Sequence, residues 1–270
     1  MPELPEVETV RRVLEKSIVG LTIASVEIRY PNIIEEIDNF SKNVENKKII
    51  GLSRFGKYLV FNLEDGNIVS HLRMEGKYFY LERGKLDNKH IHVIFHLSNG
   101  FDLLYQDVRK FGRMVYRNNE ELLSKHPISN LGVDPILTKE IDLNAIYDKI
   151  RRKTIPIKSI LLDQSIICGL GNIYVDEVLF KSKINPHKIG KDISLDSVKS
   201  IIENSRSILL LAIELKGTTI RSYTSSLGVS GGYQDYLLVH TKKECPVCKA
   251  ALQKDSIGGR STYYCQKCQV

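Results

Sequence analysis

The chain has 270 residues, and several features of other protein classes are missing from it. The longest apolar run, residues 208–213, is far too short to cross a bilayer. Only one of the five cysteines, Cys168, lies outside the segment 245–270, which argues against the disulfide framework of a secreted fold. The acidic, proline-containing residues 1–8 are unlike a signal or transit peptide. We therefore expect a soluble protein that is neither exported nor anchored in a membrane.

Composition and net charge restrict the function only weakly. Lysine and arginine number 39 against 32 aspartate and glutamate residues, which gives a formal net charge of +7 and a pI near 9.0. This excess is modest and only suggests an anionic partner. A hydrophobic content of 42% with 26% charged residues excludes a largely disordered chain. The length allows one large or two medium domains.

The first half of the chain is predicted to be strand-rich after an opening helix. Residues 4–18 place an apolar side chain every three or four positions, which predicts one amphipathic helix ending near Gly20. Short β-rich runs bounded by turn signals follow and predict an antiparallel sandwich. These runs cover residues 22–28, 57–63, 68–72, 77–81 and 92–97.

The second half is predicted to be helical after a Gly/Pro break at residues 131–135. Helices are predicted over residues 173–181 and 197–216, and a loop rich in Gly, Ser and Thr over 217–240. The candidate caps of the second helix are Ser194 or Asp196 at its start and Gly217 at its end.

The C-terminal segment contains two CxxC knuckles, Cys245/Cys248 and Cys265/Cys268, separated by a spacer long enough for a β-hairpin. Two such knuckles place four thiolates around one Zn²⁺, and because protein fills all four positions, we expect a structural ion. The alternative is a pair of redox dithiols, which requires a thioredoxin-like context that is missing here. Arg260 lies within the spacer, and spacing alone leaves open whether it is functional or an ordinary turn residue.

The N-terminal segment supports a structural and a chemical interpretation. Pro5 suits the first turn of a helix, and Glu3 and Glu6 complement the positive end of its dipole. Alternatively, removal of Met1 would expose Pro2 as a secondary amine. An α-amino group titrates near 7.7–8.0, against about 10.4 for lysine, so more of it is neutral and nucleophilic at pH 7. Its attack on a sugar aldehyde would give an iminium, with the adjacent Glu3 able to transfer protons.

Three motifs together resemble one family. PELPEVETVRR at residues 2–12, GLGNIYVDEV at 169–178 and the four-cysteine finger occur in the same order in bacterial formamidopyrimidine-DNA glycosylases, the Fpg/MutM family. The resemblance covers residues 2 to about 269. It implies a bifunctional base-excision-repair enzyme that excises oxidised purines, notably 8-oxoguanine and formamidopyrimidines, and then cleaves the abasic strand by β,δ-elimination.

The resemblance assigns a catalytic role to four residues. Pro2 would form a Schiff base with C1′ of the damaged nucleotide, and Glu3 would be the acid that helps to open the sugar. Lys57 matches the proton donor of β-elimination, although spacing alone would favour a surface lysine at a strand edge. Arg260 matches the finger arginine of δ-elimination. Glu6, on the same turn as Pro2 and Glu3, would be a supporting carboxylate.

Base excision requires the damaged nucleotide to leave the helical stack, because Pro2 cannot reach C1′ inside a duplex. Met74, Arg109 and Phe111 match the family's set that fills the gap in the DNA, whereas without the family Met74 and Phe111 would be assigned to the core. The resemblance implies further DNA contacts, mostly to phosphate. These are His71, His90, Lys153, Lys158 and Asn172.

The segment Gly169-Leu170-Gly171-Asn172 does not predict a nucleotide cofactor. The third glycine of a dinucleotide loop is missing, and no strand precedes the segment within a βαβ unit. The implied partner is damaged double-stranded DNA, bound by a monomer with no membrane partner. We expect a bacterial cytoplasmic protein that associates with the nucleoid through DNA.

The expected fold class is α+β, in three domains. Residues 1–130 would form an N-terminal β-sandwich catalytic domain with an N-terminal helix. Residues 131–240 would form a helix-two-turn-helix DNA-binding domain with a lesion-recognition loop, and residues 241–270 a four-cysteine zinc finger. Two positions depart from the family pattern: Phe55 replaces a frequent arginine, and His240 lies where tyrosine-glycine is usual.

Two alternative functions remain open. One is an endonuclease VIII-like glycosylase for oxidised pyrimidines, and the LPEVETV motif with the complete Met74, Arg109 and Phe111 set favours the purine enzyme instead. The other is a non-catalytic damaged-DNA-binding protein. Retention of the four catalytic candidates argues against it, because binding alone requires no N-terminal proline.

Overall fold

The structure, a computed structural model, describes residues 1–218 and 231–270. Most of the predicted loop 217–240 therefore lies outside the described residues. The chain divides into two compact units, one built mainly from Met1–Ser129 and the other from Asn130–Leu215 and Gly232–Val270. Because the four-cysteine segment groups with the second unit, a separate third domain stays a prediction. In the described ranges no helix has both the length and the apolar character that crossing a bilayer requires.

The first unit consists of one long helix and an antiparallel sheet. Its helices are α1 (Leu4–Ile18), α2 (Phe40–Val44) and α3 (Glu121–Ser124). Its strands are β1 (Thr22–Ile28), β2 (Lys47–Phe55), β3 (Tyr58–Leu63), β4 (Gly66–His71), β5 (Lys77–Glu82), β6 (Ile91–Leu97), β7 (Phe101–Gln106) and β8 (Arg113–Asn118). The strand order is β5-β7-β6-β1-β2-β3-β4-β8. The opening helix and the five predicted strands are confirmed, most of them to within one or two residues.

The sheet folds into two four-stranded halves around one core. Strands β1 and β2 join the halves through a short register, Thr22 with Lys48 and Ile23 with Lys47. Across the core, the Tyr78 ring of one half meets the Phe61 ring of the other with centroids 5.3 Å apart. The apolar face of α1 is buried in the same core, as its spacing predicts. The predicted β-sandwich is therefore confirmed, and both of its layers belong to one continuous eight-stranded sheet.

Three connections between strands carry predicted site residues. The β2–β3 hairpin turns at Gly56 and Lys57, because Phe55 pairs directly with Tyr58. The segment 72–76 joins β4 to β5, and the segment 107–112 joins β7 to β8. The first of these longer segments contains Met74, and the second contains Arg109 and Phe111.

The second unit is helical and ends in a hairpin. Its helices are α4 (Leu143–Arg151), α5 (Ile157–Leu162), α6 (Asn172–Lys181) and α7 (Leu195–Glu214), and its strands are β9 (Gln253–Ile257) and β10 (Arg260–Tyr264). Both predicted helices are confirmed. Ser194 is the N-cap of α7, since its hydroxyl oxygen accepts the backbone N–H of Ser197 at 3.1 Å. Helices α5 and α6, with the turns between them, correspond to the expected helix-two-turn-helix.

Candidate functional site

A chain of carboxylate contacts organises the N-terminal turn of the first unit. Glu3 is the N-cap of α1 and forms a capping box with Glu6, whose carboxylate accepts the Glu3 backbone N–H at 2.8 Å. The second Glu6 oxygen accepts the backbone N–H and the hydroxyl of Thr218 at 2.8 and 3.1 Å. Glu6 thus ties the start of α1, next to the buried Pro2, to the residue that precedes segment 219–230.

A second set of contacts joins α1 to the turn that carries Lys57. The guanidinium of Arg54 donates to Glu8 at 3.3 Å and to the Gly56 carbonyl at 2.9 Å. Burial acts to raise the pKa of Glu8, but hydrogen bonds from Arg11 and neighbouring guanidinium charges lower it overall. An ionised Glu8 therefore holds Arg54, and Arg54 fixes the turn. Lys57 itself is 5% exposed.

His71 lies near Lys57 and is held as a neutral imidazole. Burial, followed by the charges of Arg73 and Lys57, lowers the pKa of His71 to about 3. Its Nδ1 accepts the backbone N–H of Arg73 at 2.9 Å, so the ring proton must lie on Nε2. The Tyr58 ring packs edge-on against it, with centroids 4.6 Å apart. His71 can thus donate one hydrogen bond to an oxygen without adding charge.

The three predicted gap-filling residues are all at least partly exposed. Phe111 is 47% exposed, and the Arg109 guanidinium lies 4.7 Å from the centre of its ring. Met74 is half-buried. Exposure of a large aromatic side chain on a loop contradicts the core assignment that hydrophobicity alone would favour for Phe111. His90 is half-buried, and its backbone carbonyl accepts the N–H of Asp107, two residues before Arg109, at 3.0 Å.

In the second unit, two residues predicted to contact DNA also bind the C-terminal hairpin. The Lys158 ammonium donates to Asp176 and to the Ser261 carbonyl, each at 2.7 Å, and its side chain is 0% exposed. The Asn172 amide donates to the same carbonyl at 2.9 Å. The structure thus gives Lys158 an internal role, and its contact with phosphate stays a prediction. Lys153, by contrast, forms a half-exposed ion pair with Asp163 at 3.5 Å.

Arg260 begins strand β10 and is exposed. The preceding turn contains Gly258 and Gly259 at φ values of 56° and 72°, a left-handed conformation that favours glycine. A side-chain carbon at Gly258 would approach the Ser159 hydroxyl to 3.2 Å, so the turn packs closely on α5. Arg260 is thereby presented at the turn of a hairpin that packs on α5, and its contact with DNA stays a prediction.

Two acidic residues of α6 hold the segment leading into the finger, and sequence reasoning assigned them no role. Glu177 accepts the backbone N–H groups of Leu238, Val239 and His240 at 2.7, 3.0 and 2.8 Å. Burial raises the pKa of Glu177 above its ordinary value, while these three donors oppose the rise. Asp176 accepts from His240 at 2.8 Å. These contacts leave no signal in the sequence, because Asp176 and Glu177 are distant along the chain from the residues that they bind.

The four predicted metal ligands converge. The sulfurs of Cys245 and Cys268 are 3.8 Å apart, those of Cys248 and Cys265 are 3.5 Å apart, and all four lie within 4.8 Å of one another. Tetrahedral Zn²⁺ with bonds of about 2.3 Å requires sulfurs separated by about 3.8 Å. The donor set and its spacing therefore fit one structural zinc ion, which these thiolates hold.

Comparisons with known proteins agree with this fold and with a C-terminal zinc finger. Models of the formamidopyrimidine-DNA glycosylase N-terminal domain, the corresponding H2TH domain and a zinc finger found in FPG and IleRS match residues 1–114, 131–224 and 242–270. The formamidopyrimidine-DNA glycosylase of Mycoplasma mobile is 46% identical over 274 residues, covering 100% of this chain and 99% of that protein.

Solved structures give the same result. Lactococcus lactis Fpg in complex with DNA containing an abasic site has a TM-score of 0.92 and 40% identity, with 99% of each chain covered. MutM in complex with DNA containing carbocyclic 8-oxo-G has a TM-score of 0.91 and 40% identity, again with 99% of each chain covered. The fold and finger are those of a base-excision-repair DNA glycosylase. The chain belongs to the formamidopyrimidine-DNA glycosylase family.

Proposed function

We propose that Pro2, Glu3, Lys57 and Arg260 carry out glycosylase and AP-lyase chemistry on oxidised purines, namely 8-oxoguanine and formamidopyrimidines, in double-stranded DNA. The observation that carries the proposal is the N-terminal turn, where Glu6 accepts the Glu3 N–H at 2.8 Å beside Pro2. This contact orients an acid next to the secondary amine. A single chain would act on the duplex in the cytoplasm and associate with the nucleoid through its DNA substrate.

The first steps release the base. The Pro2 nitrogen, exposed by removal of Met1, attacks C1′ and gives up its N–H proton to the departing base, as the bond from C1′ to the base breaks and the base takes the electron pair. The bond from C1′ to the ring oxygen then opens, and Glu3 gives that oxygen a proton. The product is an iminium between Pro2 and C1′, which is positively charged without further protonation.

The later steps cleave the strand. The iminium withdraws electrons, so loss of a C2′ proton expels the 3′ phosphate in β-elimination, and a second elimination expels the 5′ phosphate. Lys57 suits a proton donor at the first elimination, because its turn is held in place. The Arg54 guanidinium donates to the Gly56 carbonyl of that turn at 2.9 Å. Arg260 suits the second, because its hairpin presents an exposed guanidinium that can hold a phosphate.

Borohydride trapping tests this proposal. Protein whose Met1 is confirmed by mass spectrometry to be absent should form a covalent adduct with a duplex containing 8-oxoguanine opposite cytosine. Pro2→Thr should form this adduct much more slowly, because the imine of a primary amine is charged only when it is protonated. A duplex containing thymine glycol is the comparison substrate. Absence of any adduct from the wild-type protein would favour the non-catalytic DNA-binding alternative. Much faster excision of thymine glycol would favour the endonuclease VIII-like alternative.

A further inference from the structure

Asp107 follows strand β7 directly, and its side chain is completely buried. Its carboxylate accepts three backbone N–H groups from one short loop: those of Arg109 at 2.9 Å, Phe111 at 2.9 Å and Gly112 at 2.8 Å. Hydrogen bonds to an ionised acceptor are stronger than neutral ones. A single carboxylate therefore defines the backbone path of residues 109–112.

The backbone of Asp107 is itself anchored to the segment around β6. Its N–H donates to the His90 carbonyl at 3.0 Å, and its carbonyl accepts His92 Nε2 at 2.8 Å. Burial lowers the pKa of His92. Because a carbonyl oxygen can only accept, the ring carries a proton on Nε2 in this contact. The carboxylate thus projects into the loop from a fixed position.

The loop adopts a conformation that local sequence would not choose. Lys110 has a φ of 58°, in the left-handed region that non-glycine residues rarely occupy. Its ammonium lies over the Tyr30 ring, 4.4 Å from the ring centre. Such strain persists only where the surrounding contacts impose it, and the three bonds to Asp107 do so here.

Tyr105, two residues before Asp107, supports the same loop from within the core. A side-chain carbon at Gly112 would lie 1.7 Å from the Tyr105 hydroxyl oxygen, and one at Gly76 would lie 2.3 Å from it. Both glycines therefore touch this hydroxyl. The segment that contains Met74 and the loop that contains Arg109 and Phe111 consequently share one buried support.

We propose that Asp107 is the positioning residue for the gap-filling side chains, holding Arg109 and Phe111 in their insertion geometry before DNA binds. Insertion of a side chain into a duplex must offset unstacking and the ordering of the loop. A loop ordered in advance removes the second cost. This inference rests on the proposed function, because it concerns how the damaged nucleotide leaves the stack.

Asp107→Asn tests the inference, because the amide keeps the shape of the side chain but loses its charge and turns an N–H toward the loop donors. The matched control is Asp102→Asn on the preceding strand β7, where a buried carboxylate accepts from Arg83 at 3.2 Å and from His96 at 2.7 Å, away from the loop. Two substrates are compared in single-turnover experiments. One is a duplex with 8-oxoguanine opposite cytosine, in which the fluorescent base 2-aminopurine lies next to that cytosine. The other is a single-stranded abasic oligonucleotide.

Asp107→Asn should slow excision from the duplex and the 2-aminopurine signal by at least about 10-fold, equivalent to about 1.4 kcal/mol. It should change the rate of borohydride trapping on the single strand by less than about 2-fold, since no base must be replaced there. Asp102→Asn should leave the ratio of the two rates at the wild-type value. Equal losses of rate on both substrates, or no loss of rate on the duplex, would overturn the inference for Asp107. The proposed function would still stand in that case if the wild-type protein forms the borohydride adduct.

Hydrogen exchange of the wild-type protein provides a measurement that does not depend on folding of a variant. Without DNA, the amides of Arg109, Phe111 and Gly112 should exchange at least about 10-fold more slowly than the amide of the exposed Gly84, because hydrogen-bonded amides exchange only after local opening. Equal exchange rates would mean that the loop is not held in advance and would reject the inference. No borohydride adduct from the wild-type protein with either substrate would instead reject the proposed function.

Discussion

Lys158 and Asp176 form an ion pair at 2.7 Å in which both side chains are fully buried. The same ammonium donates to the Ser261 carbonyl at 2.7 Å, one residue beyond Arg260. The second Asp176 oxygen accepts from His240 at 2.8 Å. A lysine predicted from sequence to meet phosphate thus holds the hairpin that presents Arg260.

Lys158→Met should be strongly destabilising, because it leaves the Asp176 charge buried without its ammonium partner. Removal of one member of a buried ion pair typically costs about 3–5 kcal/mol. Lys153→Met is the matched control, since its half-exposed pair with Asp163 at 3.5 Å should contribute less than about 1 kcal/mol. Urea unfolding of both variants measures the difference. Similar losses in the two variants would contradict an internal role for Lys158.

Glu6→Gln should weaken the tie between the N-terminal turn and Thr218. The Glu6 carboxylate accepts the backbone N–H groups of Glu3 and Thr218, each at 2.8 Å. The glutamine amide keeps one acceptor oxygen but turns an N–H toward one of these two donors. We expect a loss of about 1.5–3 kcal/mol in unfolding free energy, the usual contribution of hydrogen bonds to charged groups, and slower borohydride trapping. Glu15→Gln is the control, because its pair with Arg11 is partly exposed. An unchanged trapping rate for Glu6→Gln would show that Glu3 does not depend on this contact.

His71 should make stability fall with acidity. Burial first, and then the charges of Arg73 and Lys57, lower its pKa from 6.5 to about 3 in the folded protein. Between those values the unfolded chain binds more protons than the folded one, so stability rises with pH across this window and falls as pH is lowered. The slope is at most about 1.4 kcal/mol per pH unit. Urea unfolding at pH 7, 6 and 5 should show a smaller slope for His71→Gln than for the wild-type protein, and parallel slopes would refute a neutral His71.

The neutral state of His71 also predicts the salt dependence of DNA binding. Each neutralised phosphate changes the slope of log K against log salt by about 0.9. Arg260→Gln, which removes an exposed charge, should reduce the slope by about that amount. His71→Gln should weaken binding with little change in slope, because a neutral imidazole releases no counterion. A reduced slope for His71→Gln would mean that the ring binds DNA in its charged form.

Loss of zinc should unfold the hairpin without unfolding the first unit. Cys248→Ser removes one of four converging ligands, so bound zinc should fall from one ion per chain to none and DNA affinity should be lost. The control is Cys168→Ala, which alters a buried cysteine outside the cluster. Metal analysis, DNA titration and near-UV circular dichroism measure these outcomes. Unchanged affinity in zinc-free Cys248→Ser would remove the finger from DNA recognition.

Local patterns were enough to predict α1, β1 and α7, and the buried positions of the two helices follow the predicted spacing. They were not enough for β9, whose sequence Gln-Lys-Asp-Ser-Ile is mostly polar and exposed. That strand forms because β10 pairs with it between two metal knuckles. The acidic residues Asp107 and Glu177 gave no sequence signal either. In a basic protein each is expected to be a solvated charge. The fold brings distant amides to Glu177, whereas Asp107 accepts amides of its own loop and the fold decides only that its carboxylate is buried.

The amino-acid sequence by itself determined the opening helix, the four zinc ligands and the nucleophile candidate Pro2, because each depends on residues that are close together in the chain. Only the tertiary structure decided what the charged side chains do. Glu177 binds amides 61 to 63 positions away, and Lys158 binds a carbonyl 103 positions away. A charge contacts solvent, DNA or an internal partner according to its burial, and burial depends on contacts between distant parts of the chain.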